Sequence, residues 1–214
     1  MNKLYILLIY ATLSISNYIQ CQVFESELNL TSNKEFIQAK SFEEAGLYDE
    51  AIILYKRINR QNPGNIKYFK PLKELFEESE SWDTLLVYTE IFSKYQNDNF
   101  DNKIELIDIY SILEMENKWK KLVNKIFSDR LLDHKYIKKT IRQLIRLGQF
   151  EYAYSKLKDY RIETGKDDFY SIELGSYLAM RMAFEEATYE YLLFLSKNPH
   201  SVELISNKIM SFPN

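Results

Sequence analysis

Cysteine is almost absent: Cys21 stands alone in 214 residues, so no disulfide can form within the chain. Histidine is nearly as scarce. His134, His200 and one thiol cannot supply the four ligands of a Cys–His zinc site, and no histidine-based triad with Cys21 is credible. Glycine (5) and proline (4) are few, and no glycine-rich phosphate loop of the Walker or dinucleotide type is present. The charge of -3 is close to neutral, so bulk charge names no partner. The acidic group Glu74, Glu77, Glu78 and Glu80 lies on one helix end, where carboxylates do not face each other across a substrate as acid–base chemistry requires. These absences predict no catalytic residues, no cofactor, no metal and no enzymatic activity.

Aromatics are abundant at 15% of the chain, and Leu, Ile, Lys and Glu dominate. That profile belongs to a helical protein with a core of large side chains, and disordered chains lack such residues. At the N-terminus Lys3 precedes an uncharged run, Leu4 to Ile15, closed by Ser16 and Asn17. A basic start, a short apolar segment and small residues near its end predict a secretory signal over residues 1–22. The run is shorter than the ~20 apolar residues a membrane span needs. Membrane contact is therefore expected only if the run is left uncleaved as an anchor. The expected localisation is outside the cytoplasm: periplasmic, cell-envelope or secreted.

Beyond the leader the chain repeats itself. The motif Gly46-x-Tyr48-x-x-Ala51 returns as Gly148-x-Phe150-x-x-Ala153. Glycine gives the bend its backbone freedom, and alanine lets two helices approach. Corner aromatics align as Tyr48, Trp82, Trp119, Phe150 and Phe184, with spacings of 34, 37, 31 and 34. Three places on come Ala51, Leu85, Leu122, Ala153 and Ala187, and four further Tyr55, Thr89, Ile126, Leu157 and Tyr191. Pro63 and Pro199, each after an asparagine, stop helices where no hydrogen bond is lost. In this alignment Glu80 and Asn117 replace the bend glycine, and Asp49 and Asp83 occupy positions suited to an N-cap.

A period near 34 built on helix–turn–helix units resembles tetratricopeptide repeats. Ala39, Phe42, Gly46, Tyr48, Ala51, Tyr55 and Pro63 carry the likeness in the first repeat, and Gly175, Leu178, Ala187, Tyr191 and Pro199 in the fifth. The resemblance implies an all-α fold, a right-handed α-solenoid of stacked antiparallel helix pairs. Residues 33–214 would form about five repeats and a trailing helix. Bulky residues at the small positions of repeats two and three predict an irregular middle. The trailing helix, Ser201 to Ser211, is apolar on more than one side; further chain, a partner or ordinary capping would each account for it.

In the family the concave wall is lined by the first helix of each pair. Carried over by register, the expected partner-binding positions are Phe36, Lys40 and Glu43, then Lys70, Glu74 and Glu77, then Ile107 and Ser111. Lys138, Arg142 and Ile145 follow in repeat four, and Ile172, Ser176 and Ala179 in repeat five. Charge is segregated: Glu35 to Glu116 holds seventeen acidic and nine basic residues, Lys118 to Arg146 two acidic and ten basic. Blocks of this kind also arise on helix faces that only confer solubility. The expected function is an exported, non-enzymatic scaffold that binds a protein or peptide on its concave face, with no nucleic-acid partner. Two alternatives stand beside it: a structural component of an envelope assembly complex, and a binder of an anionic or glycan envelope ligand through Lys118–Arg146.

Overall fold

The computed structural model describes residues 30–97, 99–129 and 133–213. The expected leader, Cys21 included, lies outside the described residues. Among these the chain is α-helical with no strand. It divides into two compact units, Met1–Met115 and Glu116–Asn214.

The first unit contains α1 (residues 30–44), α2 (Tyr48–Gln61), α3 (Ile66–Glu78), α4 (Trp82–Tyr95) and α5 (Phe100–Ile112). The second contains α6 (Glu116–Ser128), α7 (His134–Arg146), α8 (Phe150–Thr164), α9 (Ser171–Met180), α10 (Phe184–Lys197), a short 3-10 turn (Pro199–Ser201) and α11 (Val202–Met210). Within the units α2 packs on α3, α3 on α4, α4 on α5, α6 on α7, α7 on α8, α9 on α10 and α10 on α11. The division falls between α5 and α6, inside repeat three, where the sequence predicts irregularity.

One backbone device makes the bend between the first and second helices of each repeat. Gly46, Glu80, Glu114, Gly148 and Met182 all have φ between +52° and +75°, and they recur every 34 residues. In each, the amide one place later donates to the carbonyl five residues back: Leu47 to Phe42 (2.8 Å), Ser81 to Phe76 (2.8 Å), Met115 to Tyr110 (2.8 Å), Gln149 to Leu144 (2.9 Å) and Ala183 to Leu178 (3.0 Å). This is the Schellman arrangement, in which a left-handed residue closes the helix and satisfies carbonyls left free at its end.

The register of repeat three is thereby corrected. Its bend is Glu114, not Asn117, and its corner position holds Glu116, not Trp119. Trp119 instead occupies the place of Ala51, Leu85, Ala153 and Ala187, and Val123, not Ile126, stands with Tyr55 and Tyr191. All of these are buried, so repeat three carries an indole where repeats one, four and five carry a methyl group.

The first helices of repeats two to four share a start as well. Asn65, Asn99 and Asp133, again 34 apart, each accept the amide two residues on, at 3.0, 2.9 and 3.0 Å. Such caps contribute about 1 kcal/mol each. The second helices start differently. Asp49 and Asp83 lie inside the first turn, and the caps are Leu47 and Ser81, which make no side-chain capping bond. The two carboxylates act there through the helix dipole rather than as caps.

In the first unit Tyr55, Ile58, Phe69, Leu72 and Leu85 are wholly or almost wholly buried, and Phe69 stacks on Phe92 at 4.2 Å. In the second, Gly175 allows a close approach. A Cβ there would sit 2.7 Å from the Tyr191 ring, so α9 and α10 can meet only over a residue without one. A buried ion pair fixes the turn that enters α9. Arg161 meets Glu190 through both amino groups (3.0 and 2.7 Å), donates to the Phe169 carbonyl (3.0 Å) and reaches Ser171 Oγ (3.0 Å), which itself donates to Glu190 (2.7 Å). Of α11 only Ile205 is fully buried, with Ile209 and Phe212 packed beside it. Val202, Leu204 and Met210 are exposed.

Candidate functional site

In the first unit the expected contact residues are largely engaged by their own chain. Phe36 lies between the rings of Tyr55 and Tyr68 (5.8 and 5.5 Å) with the Lys67 ammonium 4.9 Å above it. Glu43 accepts the Tyr55 hydroxyl at 2.7 Å. Burial, and then Glu43, push that phenol well above its ordinary pKa. Lys70 pairs with Glu74 (3.7 Å), and Lys73 stands between Glu77 (3.2 Å) and Glu105 (3.4 Å). Burial raises the Glu105 carboxyl above the usual range against the opposing pull of Lys73. Lys40 is exposed and Ser111 half-buried.

Ile107 is a correction. It is fully buried and shares its place in the repeat with Ala39, Ile141 and Gly175, which are buried too. The residue in register with Lys40, Glu74, Arg142 and Ser176 is Asp108, half-buried on α5. Counting in strict steps of 34 from Glu74 finds it.

In the second unit Lys138 and Arg142 are brought together at the start of α9. Lys138 pairs with Glu173 at 2.8 Å, and Arg142 hydrogen-bonds the Tyr170 hydroxyl. Burial raises that hydroxyl's pKa, with Arg142 opposing. Lys138, Tyr170, Ile172 and Phe194 line a cleft of about 440 Å³. Ser176 donates to the Ile172 carbonyl (2.8 Å) and accepts from Tyr191 (3.1 Å) and Lys208 (3.0 Å). Ala179 packs on the cluster of Ala187, Tyr191 and Ile205. Ile145 is half-buried and faces another space, a cavity of about 1220 Å³ bordered by the N-terminal turns of α8 and α10. The sequence did not single out that cavity's walls, because Phe150 reads as a corner filler.

The face of α7 gives this site its chemistry. Ile137, Thr140, Ile141, Gln143 and Leu144 point inward, and the rest of the helix carries Lys135, Lys138, Lys139, Arg142 and Arg146 with no acidic residue. Among the described residues no group of three or more His, Cys, Asp or Glu side chains is placed to hold a metal ion. Both ring nitrogens of His134 are engaged, by the Tyr160 hydroxyl and the Lys166 ammonium. No described helix is long and apolar enough to cross a membrane.

Five bends of one backbone form at a constant step of 34 define the repeat. Its units are tetratricopeptide-like. No family model matches this chain, and no curated protein matches it. Among solved structures the array is similar to a tetratricopeptide repeat protein from Parabacteroides merdae, at 14% identity over 79% of this chain and 68% of that one, with a TM-score of 0.49. It is similar also to the MamA protein, at 12% identity over 81% and 94% with a TM-score of 0.47. A third is YrrB, described as a TPR protein with an unusual peptide-binding site, at 13% over 81% and 90% with a TM-score of 0.41. The tetratricopeptide-like character of the chain rests on its own repeat geometry.

Proposed function

We propose that the chain is an exported, non-enzymatic interaction scaffold that holds an extended protein segment on the concave side, against the first helices of its repeats. The observation that carries this reading is α7, whose outward side bears five cations and no acid beside the cleft of Ile172 and Phe194. A cationic strip along a cleft with apolar lining suits a segment that is acidic where it crosses α7 and offers an apolar side chain next to it. Opposed charge steers the encounter and sets orientation, and burial of the apolar side chain supplies residence.

The test uses a fluorescein-labelled twelve-residue peptide of alternating glutamate and leucine, titrated into the full chain. Lys138→Gln with Arg142→Glu should weaken binding about tenfold while helicity and melting temperature hold. Glutamine is chosen at 138 because a carboxylate there would face Glu173. Lys121→Glu with Lys158→Glu, both exposed on second helices, should change binding less than twofold. Equal losses in the two pairs, or a greater loss in the second, would overturn the assignment to the first helices.

A further inference from the structure

The cavity of about 1220 Å³ in the second unit lies away from the Lys138–Arg142 cleft and has a different chemistry. Its floor is an aromatic stack: Phe150 lies on Tyr154 (5.9 Å, planes 6° apart) and on Tyr177 (5.3 Å, 23°). Tyr189 stands on the wall, 63% exposed. Glu151, Glu185 and Glu186 line the rim, and none of the three forms an ion pair among the described residues. Their place in the first turns of α8 and α10 suits the helix dipole, which accounts for their sign but not for the rings gathered beneath them. Arg146 and Arg181 border the same space, and Arg181 is tied to the Tyr177 hydroxyl at 3.2 Å.

The stack already draws cations. The Lys158 ammonium sits 4.8 Å from the centre of the Tyr154 ring, and the Arg181 guanidinium 5.7 Å from that of Tyr177. Ring faces attract positive charge through their quadrupole, and more strongly where water is excluded. Carboxylates at the rim of such a space favour the same sign. The volume exceeds that of one side chain and accommodates several residues of an extended segment.

We propose that this cavity is a second binding site, one that takes lysine or arginine side chains of a basic partner segment, with ring faces below the cation and the three glutamates neutralising it. The site is independent of the α7 cleft, so one chain can hold an acidic and a basic stretch at two places.

The probe is a fluorescein-labelled octapeptide of alternating glycine and lysine, measured by anisotropy on the full chain beside its trimethyl-lysine and acetyl-lysine forms. The trimethyl form keeps the charge and should bind at least as tightly as the lysine form. The acetyl form should bind at least about tenfold more weakly. Tyr189→Leu should weaken binding about fivefold and Tyr189→Phe should restore it; Glu185→Gln with Glu186→Gln should weaken it by a similar factor. Equal binding of the acetyl form would overturn the proposal. So would a loss in the glutamine pair with none in Tyr189→Leu, the outcome for a diffuse acidic surface. Binding of the acidic peptide at α7 should be unchanged in all of these variants, which separates failure of this site from failure of the α7 reading.

Discussion

Arg161→Met is the most informative single change in the second unit. Arg161 and Glu190 are 8% and 2% exposed, and the guanidinium serves the carboxylate, the Phe169 carbonyl and Ser171 together. Methionine has a similar reach and no donor. The variant strands a buried carboxylate with only the Ser171 hydroxyl and leaves the Phe169 carbonyl unpaired. Removing one partner of a buried pair is strongly destabilising, by about 3–5 kcal/mol, whereas exchanging both for apolar groups is often nearly neutral. The double variant Arg161→Met with Glu190→Leu should therefore recover most of the loss. For a unit of this size 3 kcal/mol corresponds to a fall in melting temperature of at least about 12 °C. Each unit holds one of the two tryptophans, Trp82 and Trp119, so Trp82→Phe leaves fluorescence as a reporter of the second unit during urea unfolding. A loss below about 1 kcal/mol at pH 7, or a double variant no better than the single one, would refute the view that burial makes this pair structural.

Two further outcomes are expected. Glu114→Gly or Met182→Gly should raise stability by about 0.5 kcal/mol, because relief of a left-handed backbone (about 1–2 kcal/mol) exceeds the added chain entropy of glycine (about 0.5–1 kcal/mol); chemical denaturation that shows both variants less stable would contradict the bend assignment. Burial first, and then hydrogen bonds to Glu43 and Glu90, raise the pKa of Tyr55 and Tyr110, so the unfolded chain loses these protons first and stability should fall as pH rises above about 10. Tyr55→Phe with Tyr110→Phe should flatten that limb in melts from pH 8 to 11, and an unchanged slope would count against the two hydroxyls.

Helix pairs were legible wherever the bend glycine survives, at Gly46 and Gly148, because its chemistry is specific to one backbone conformation. Repeat three was misplaced because Trp119 resembles a corner aromatic, while the true bend is held by Glu114, a residue that advertises no left-handed turn. The caps Asn65, Asn99 and Asp133 keep the step of 34 through that repeat and were the available signal. The same slip of three put Ile107 in the place of Ile104 and Ser111 in that of Asp108. Pairings such as Lys138 with Glu173 or Arg161 with Glu190 were not legible, since they depend on helices whose meeting is set by packing rather than by local pattern. The aromatic cavity was hidden for a related reason: its rings come from three helices, and each reads as ordinary core in its own.

The constancy of the five bends makes the stretches between them interchangeable cassettes. A chain cut after one left-handed residue and rejoined after another, with 34 residues or a multiple removed or added, meets the same turn and the same five-residue-back hydrogen bond at the seam. A change of 33 or 35 residues has no such seam, because one residue turns every later helical face by roughly 100°. Length in this architecture can therefore vary in whole cassettes without disturbing a bend, and a gene that gains or loses one alters the number of helix pairs while leaving the turn at each seam intact.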